Sequence, residues 1–214
     1  MLVLVRHAEA TANAAGILLG RRDVPLTDHG RAQVTALAAH LGPCGRLVSS
    51  PLERARATAS GLGLGVPVEV DERWIEVDYG DLEGEALGDV PAEVWTRWRA
   101  DPMFRPDGGE SLADVGGRVR AACEELFARD GQGARADRDV VVVSHVSPIK
   151  AAVAWALGTA DGVAWRLHLS TASITRIAWG AGAPVLRRYN ETVLEGPAPG
   201  EGRAPLRRGL RPPA

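Results

Sequence analysis

Three short apolar runs in this chain each lead into a cation or an imidazole. Met1-Leu2-Val3-Leu4-Val5 is followed by Arg6-His7-Ala8-Glu9, Arg46-Leu47-Val48 by Ser49-Ser50-Pro51-Leu52-Glu53-Arg54, and Val140-Val141-Val142-Val143 by Ser144-His145. Unbroken Leu/Val runs read as strands buried on both faces. Open α/β sheets bind ligands beyond the carboxyl ends of their strands. Fixed cations and titratable imidazoles collected there suit an anion, phosphate first. Pro51 suits the first position of a helix with Ser50 as its cap. Arg54 then falls in the first turn, where free N–H groups and the dipole already favour anions. Ser147-Pro148 opens a further helix and leaves His145 in the turn. Taken singly, each residue reads as a surface arginine or a satisfied core histidine. Three strand-end placements together favour one shared rim for Arg6, His7, Arg54 and His145.

The elements that must position these groups follow from periodicity and turn residues. Strands are expected at 1–6, 46–50, 66–70, 139–144, 173–179 and 185–190. Helices are expected at 27–41, 51–62, 91–100, 111–130, 147–158 and 162–168. Alternating strands and helices predict an α/β fold, a three-layer α/β/α sandwich on a mainly parallel sheet. No internal repeat is visible. Residues 1–194 read as one domain. Residues 195–214 read as a disordered Pro/Gly/Arg-rich tail, with Arg203, Arg207, Arg208 and Arg211 against Glu195 and Glu201.

The pattern Arg6-His7-Ala8-Glu9 resembles the Arg-His-Gly-Glu hallmark of the histidine phosphatase superfamily, also called phosphoglycerate mutase-like. The likeness continues through Asn13, Gly20–Gly30, Ser49–Ala55 with Thr58-Ala59, Glu76–Gly84, Gly108–Ser111 and Val143–His145. Each piece is weak alone, but their joint order is specific. The resemblance implies a phosphoglycerate mutase-like fold with His7 as nucleophile. It implies a phosphate pocket of Arg6, His7, Arg54 and His145, with Asn13, Val146 and Gly20 as further contacts, and Glu76 as general acid. Ala8 and Val146 replace glycines of the family pattern; a backbone N–H at Val146 is still expected to face the phosphate. The Glu-Arg-His-Tyr segment of mutases and the basic insertion after it are absent, which favours a phosphatase. Val143–Lys150 is similar to the α-ribazole phosphatase-like branch and to the phosphatase half of actinobacterial ribonuclease H/phosphatase fusions.

The chemistry explains these residue types. A phosphomonoester dianion repels an anionic attacker, whereas a neutral imidazole attacks and forms a phosphohistidine. Guanidinium forks match the equatorial oxygens that gather charge in the transition state. A protonated Glu76 would supply the proton for the leaving alkoxide, which predicts better activity on the acidic side of neutral. No cofactor is required by this scheme. The histidines and cysteines lack metal-ligand spacing, so no metal is expected.

Other motifs have plainer readings. Asp23, Glu83 and Glu110 compete for the acid role, with Glu110 read as a loop residue and Ser111 as a helix cap. Cys123-x5-Arg129 fits the bare outline of a cysteine phosphatase loop. Its intervening residues lack glycine, and Leu112, Val115, Val119, Cys123 and Leu126 recur at helical spacing, so Cys123 is core. Cys44 reads as an unpaired loop cysteine. Gly61-Leu62-Gly63-Leu64-Gly65 follows a helix and so ends it; a dinucleotide motif would follow a strand. His29 and His40 read as solvated and His168 as structural. Trp95, Trp98 and Arg99 are candidates for a lid, with a core role for the tryptophans equally open.

The 214 residues suffice for one α/β domain. Hydrophobic residues make up 45% and charged residues 24%, as in ordinary globular proteins. The net charge of −2 gives no general drive toward nucleic acid. Neither a membrane span nor a signal peptide is expected. Two cysteines without a disulfide pattern fit a cytoplasmic location. The expected partner is a small phosphorylated metabolite; a homodimer is left open. The leading expectation is a metal-independent phosphomonoesterase working through a phosphohistidine. A cofactor-dependent phosphoglycerate mutase and a phospho-ligand binding scaffold are the alternatives.

Overall fold

In the computed structural model, which describes residues 1–130, 138–180 and 182–193, the first strand sorts its side chains by parity. Strand β1 (Leu2–Arg6) sends Leu2 and Leu4 into one core cluster and Val3 and Val5 into another. Strand β4 (Asp139–Ser144) divides likewise, with Val140 and Val142 in the first cluster and Val141 and Val143 in the second. Both strands are therefore covered on both faces, as their unbroken Leu/Val runs predict. Helices α2 (Asp28–Ala38) and α3 (Glu53–Gly61) contribute Val34, Leu37, Ala55 and Ala59 to the second cluster. Helices α5 (Leu112–Asp130) and α6 (Val146–Leu157) contribute Val119, Cys123 and Ile149 to the first. The result is the expected three-layer sandwich.

The remaining strands are β2 (Cys44–Ser49), β3 (Val68–Val70), β5 (Ser173–Ala178) and β6 (Val185–Thr192), in the sheet order β3-β2-β4-β1-β5-β6. β3, β2, β4 and β1 run parallel, while β5 and β6 add an antiparallel side. The sheet is thus mixed, with its parallel part carrying the strand ends of interest. The short α1 (Thr11–Ala14) follows β1, and α4 (Ala92–Ala100) stands in the segment between β3 and α5.

Several local expectations change. The helix expected at 162–168 is a six-residue 3-10 segment, Asp161–Arg166. Cys44 opens β2, so it does not lie in a loop; Cys123 is buried in the core as expected, and both are free thiols. Trp98 is core, at 1% exposure, whereas Trp95 is half-buried beside it. His29, His40 and His168 lie exposed. The tail assigned to 195–214 lies outside the described residues. Among the described residues no helix is long and apolar enough to cross a membrane.

Candidate active site

Strand register brings the rim together. Ser49 pairs with Val143, and Arg6 with Ser144. The ladder runs one residue further, from Ser50 N to Val143 O and from His7 N to Ser144 O, both at 2.9 Å. Arg6-His7, Ser50 and His145 therefore leave the sheet at one level. His145 is the N-cap residue of α6, and its ring centroid lies 5.0 Å from that of His7. Arg54 arrives from the first turn of α3, 1% exposed, with Nε donating to His7 Nε2 at 3.3 Å.

The hydrogen bonds of His7 fix its tautomer. Nδ1 lies 2.8 Å from the Ala8 carbonyl, which only accepts, so Nδ1 carries the hydrogen. Nε2 keeps the lone pair and faces Arg54. Burial, then the Arg54 and Arg6 guanidinium groups, hold His7 well below the ordinary imidazole value of 6.5. Burial acts first on His145 too, followed by His7, Arg54 and Arg6, and pushes it in the same direction. The site thus contains neutral imidazoles between fixed cations.

Those cations are held by carbonyls. Arg54 donates from Nη1 to Arg22 O at 2.8 Å and from Nη2 to Gly20 O at 2.7 Å. Arg6 donates from Nη1 to Leu169 O at 2.6 Å. Among the described residues neither guanidinium forms a carboxylate ion pair, and Arg6 Nε and His145 Nδ1 are buried without a partner. Burial lowers the basicity of both arginines, yet arginine remains charged. Two desolvated positive charges and unmatched polar atoms make a receptor for an oxyanion.

A stability effect follows. Below pH 6.5 unfolded imidazoles take up protons while His7 and His145 stay neutral in the fold. The unfolded state then binds more protons, so this contribution is fully present above that pH and lost as pH falls. The melting temperature of the anion-free protein is expected to drop between about pH 7 and pH 5. Added phosphate or vanadate is expected to offset the drop. A flat profile would mean that the imidazoles protonate without unfolding.

Glu76 closes the site from the segment after a single 3-10 turn at Glu72–Trp74. It is 4% exposed. Its Oε1 accepts from Val77 N at 2.9 Å and Ser147 N at 3.1 Å, and its Oε2 from Val146 N at 3.1 Å. The carboxyl group therefore caps α6, taking two of the free N–H groups of its first turn. Oε2, with one donor, has the more open lone pairs. Arg118 steadies this segment by donating to Arg73 O at 2.7 Å and Glu76 O at 3.3 Å.

The other expected contacts stand further back. The Val146 N–H, expected to face phosphate, is engaged by Glu76. Gly20 contributes its carbonyl to Arg54, and a Cβ there would come within 2.9 Å of Val77 O, so glycine permits this close approach. Asn13, within α1, turns its Oδ1 back to accept from the N-cap Ala10 N at 3.0 Å. Ser50 does not cap α3; the N-cap residue is Leu52, with no side-chain bond. The Ser50 hydroxyl lies 2.7 Å from His145 Nε2 and accepts from Leu52 N, ahead of the helix, at 3.4 Å, and Asp23 Oδ1 caps α3 by accepting from Glu53 N at 2.7 Å. Glu83 accepts from Arg22 N, and Glu110 pairs with Arg21 and Arg118. All three competing carboxylates thus have structural partners. Sequence reasoning missed the roles of Ser50 and Asp23, because both bonds join distant segments without a local spacing signal.

Comparison with known proteins agrees with this geometry. The family model described as histidine phosphatase superfamily (branch 1) matches residues 2–192. A bifunctional protein of Mycobacterium tuberculosis is 36% identical over 200 residues, covering 89% of this chain but 54% of that protein. The chain thus spans about half the length of this relative. Phosphoserine phosphatase 1 of Hydrogenobacter thermophilus is 33% identical over 199 residues, covering 89% of this chain and 92% of that one. The structure of a mycobacterial glucosyl-3-phosphoglycerate phosphatase complexed with VO3 superposes with a TM-score of 0.80 at 34% identity, over 89% of this chain and 98% of the other. With its rim of two arginines and two imidazoles and its match over nearly every described residue, the chain belongs to branch 1 of the histidine phosphatase superfamily.

Proposed function

We propose that the protein is a phosphomonoesterase that acts on a small phosphorylated metabolite through a phosphohistidine on His7. The observation that carries this reading is the lone pair of a buried, neutral His7 Nε2 beside the Arg54 guanidinium. Nε2 attacks phosphorus, a P–N bond forms, and the P–O bond to the alkoxide breaks. Arg6, Arg54 and His145 surround the oxygens that gather charge. Glu76 gives its proton to the departing alkoxide. It then takes a proton from the water that attacks phosphorus and breaks the P–N bond. His7 stays neutral on the acidic side of neutral, which supports the expectation of better activity there. Relatives named for glucosyl-3-phosphoglycerate and phosphoserine support a small metabolite as substrate. The two free thiols support a reducing, cytoplasmic setting.

Phosphate release from a panel of phosphomonoesters, with EDTA present, tests the reading. Release that survives the chelator supports it, whereas transfer between phosphoglycerates without net hydrolysis would support a mutase. The acid role has its own test. Glu76→Gln is expected to slow alkyl esters by about 10²-fold or more, the usual contribution of general acid catalysis. Aryl esters, whose leaving groups need no proton, should slow far less. Equal losses on both would remove Glu76 from that role.

A further inference from the structure

Beside Glu76 lies a cavity of about 160 Å3 whose wall is mostly aromatic and aliphatic. Trp95 and Trp165, both half-buried, meet edge to face there at 6.2 Å. Leu87 at the mouth is 49% exposed. The polar exceptions include Ser147 and Lys150, on the first turns of α6. Lys150 is the only lysine in the chain. It is half-buried, and among the described residues its ammonium makes no hydrogen bond or ion pair. Glu76 lies near enough to act on it electrostatically but directs its oxygens at Val77, Val146 and Ser147.

The helix places Lys150 on the same wall as the residue whose N–H holds the acid. Val146 and Lys150 are four residues apart and share a face, one turn of about 5.4 Å. The N–H of Val146 marks the position of the acid, and Lys150 marks the next level up the cavity wall. The ammonium has three donors and no acceptor among the described residues, so it is free to pair with an anion that enters the cavity. Its apolar surroundings strengthen an interaction with any anion that enters.

We propose that this cavity receives the leaving group and that Lys150 selects an alcohol carrying a second anionic group beside an apolar or ring-shaped body. The proposal rests on the phosphatase reading above. The aromatic walls take the body, and the second charge lies within a few bonds of the ester oxygen. A plainer role for Lys150 is to cover the apolar wall with its methylene stem. Lys150→Met keeps most of that stem and removes the charge, so it separates the two roles.

The test uses three esters with one phenyl body: phenyllactate phosphate, its neutral amide, and a diol bisphosphate. Ratios of kcat/KM are read within each variant, so a general loss of activity cancels. The wild type is expected to prefer an anionic ester over the amide by roughly tenfold or more, as befits a charged hydrogen bond. Lys150→Met should bring the ratio near one, and Lys150→Arg should restore much of it. The arm that shows the larger ratio identifies the second anion as carboxylate or phosphate. A wild-type ratio near one, or a ratio unchanged in Lys150→Met, would overturn the proposal while phosphate release continued. Absence of phosphate release from every ester would defeat the phosphatase reading itself, and the proposal with it. Should Lys150→Met not fold, inhibition of the wild type by free phenyllactate and phenyllactamide decides. Stronger inhibition by the acid supports the proposal, and equal inhibition overturns it.

Discussion

Replacing His7 with alanine is expected to abolish phosphate release and phosphoenzyme labelling together. Nε2 carries the only lone pair that the hydrogen bonds around His7 leave facing Arg54. Removal of the nucleophile from a covalent hydrolase costs on the order of 10⁶ in kcat. The phosphate receptor should outlast this loss, since Arg6 and Arg54 keep their carbonyl supports at Leu169, Arg22 and Gly20. Acid-quenched labelling and vanadate binding are the measurements. Retained labelling would place the nucleophile elsewhere, and lost binding with lost labelling would point to a collapsed site.

Arg54→Ala should produce the second largest effect, through three separable consequences. Loss of one preorganised donor costs about 10²–10³ in kcat. The carbonyls of Arg22 and Gly20 lose their donor, at a cost of about 1–3 kcal/mol for each that stays buried, so the melting temperature falls as well. His7 also loses the nearest charge that depresses its basicity. Its imidazole then protonates at a higher pH, and the acid limb of kcat/KM moves upward. Arg54→Lys keeps a charge but not the fork that grips two carbonyls, so it should recover little of the rate. An unmoved acid limb in Arg54→Ala would show that burial alone sets the His7 lone pair.

The rim was legible because its signals are local. An apolar run states that its strand is covered, and the next residue states what stands at the carboxyl end. Arg6, His7 and His145 follow from that rule and Arg54 from the helix start expected after β2, and the parity of Leu2 through Val5 across two core clusters confirms the coverage. The parts that were not legible depend on choices made across the fold. Ser50 has a hydroxyl suited to a cap, yet its shortest bond is to His145, 95 residues away. Asp23 supplies the missing capping contact from another loop. Glu76 was expected from a motif, but its hold on Val146 and Ser147 requires β4 to end where it does. The face shared by Val146 and Lys150 becomes informative only once the wall opposite is known to be apolar.

The pairing of β1 with β4 also governs when the site comes into existence during folding. The N-terminal ammonium of Met1 meets Asp139 at 2.8 Å across a separation of 138 residues. His7 and His145 become neighbours through this same long-range closure. Loops of such length close against a large entropy, and non-local strand pairing is intrinsically slow. Helices α2, α3 and α5 can form from local contacts while the catalytic pair is still apart. The rim that joins His7 to His145 is therefore complete only once this pairing has formed, after residue 145 has left the ribosome.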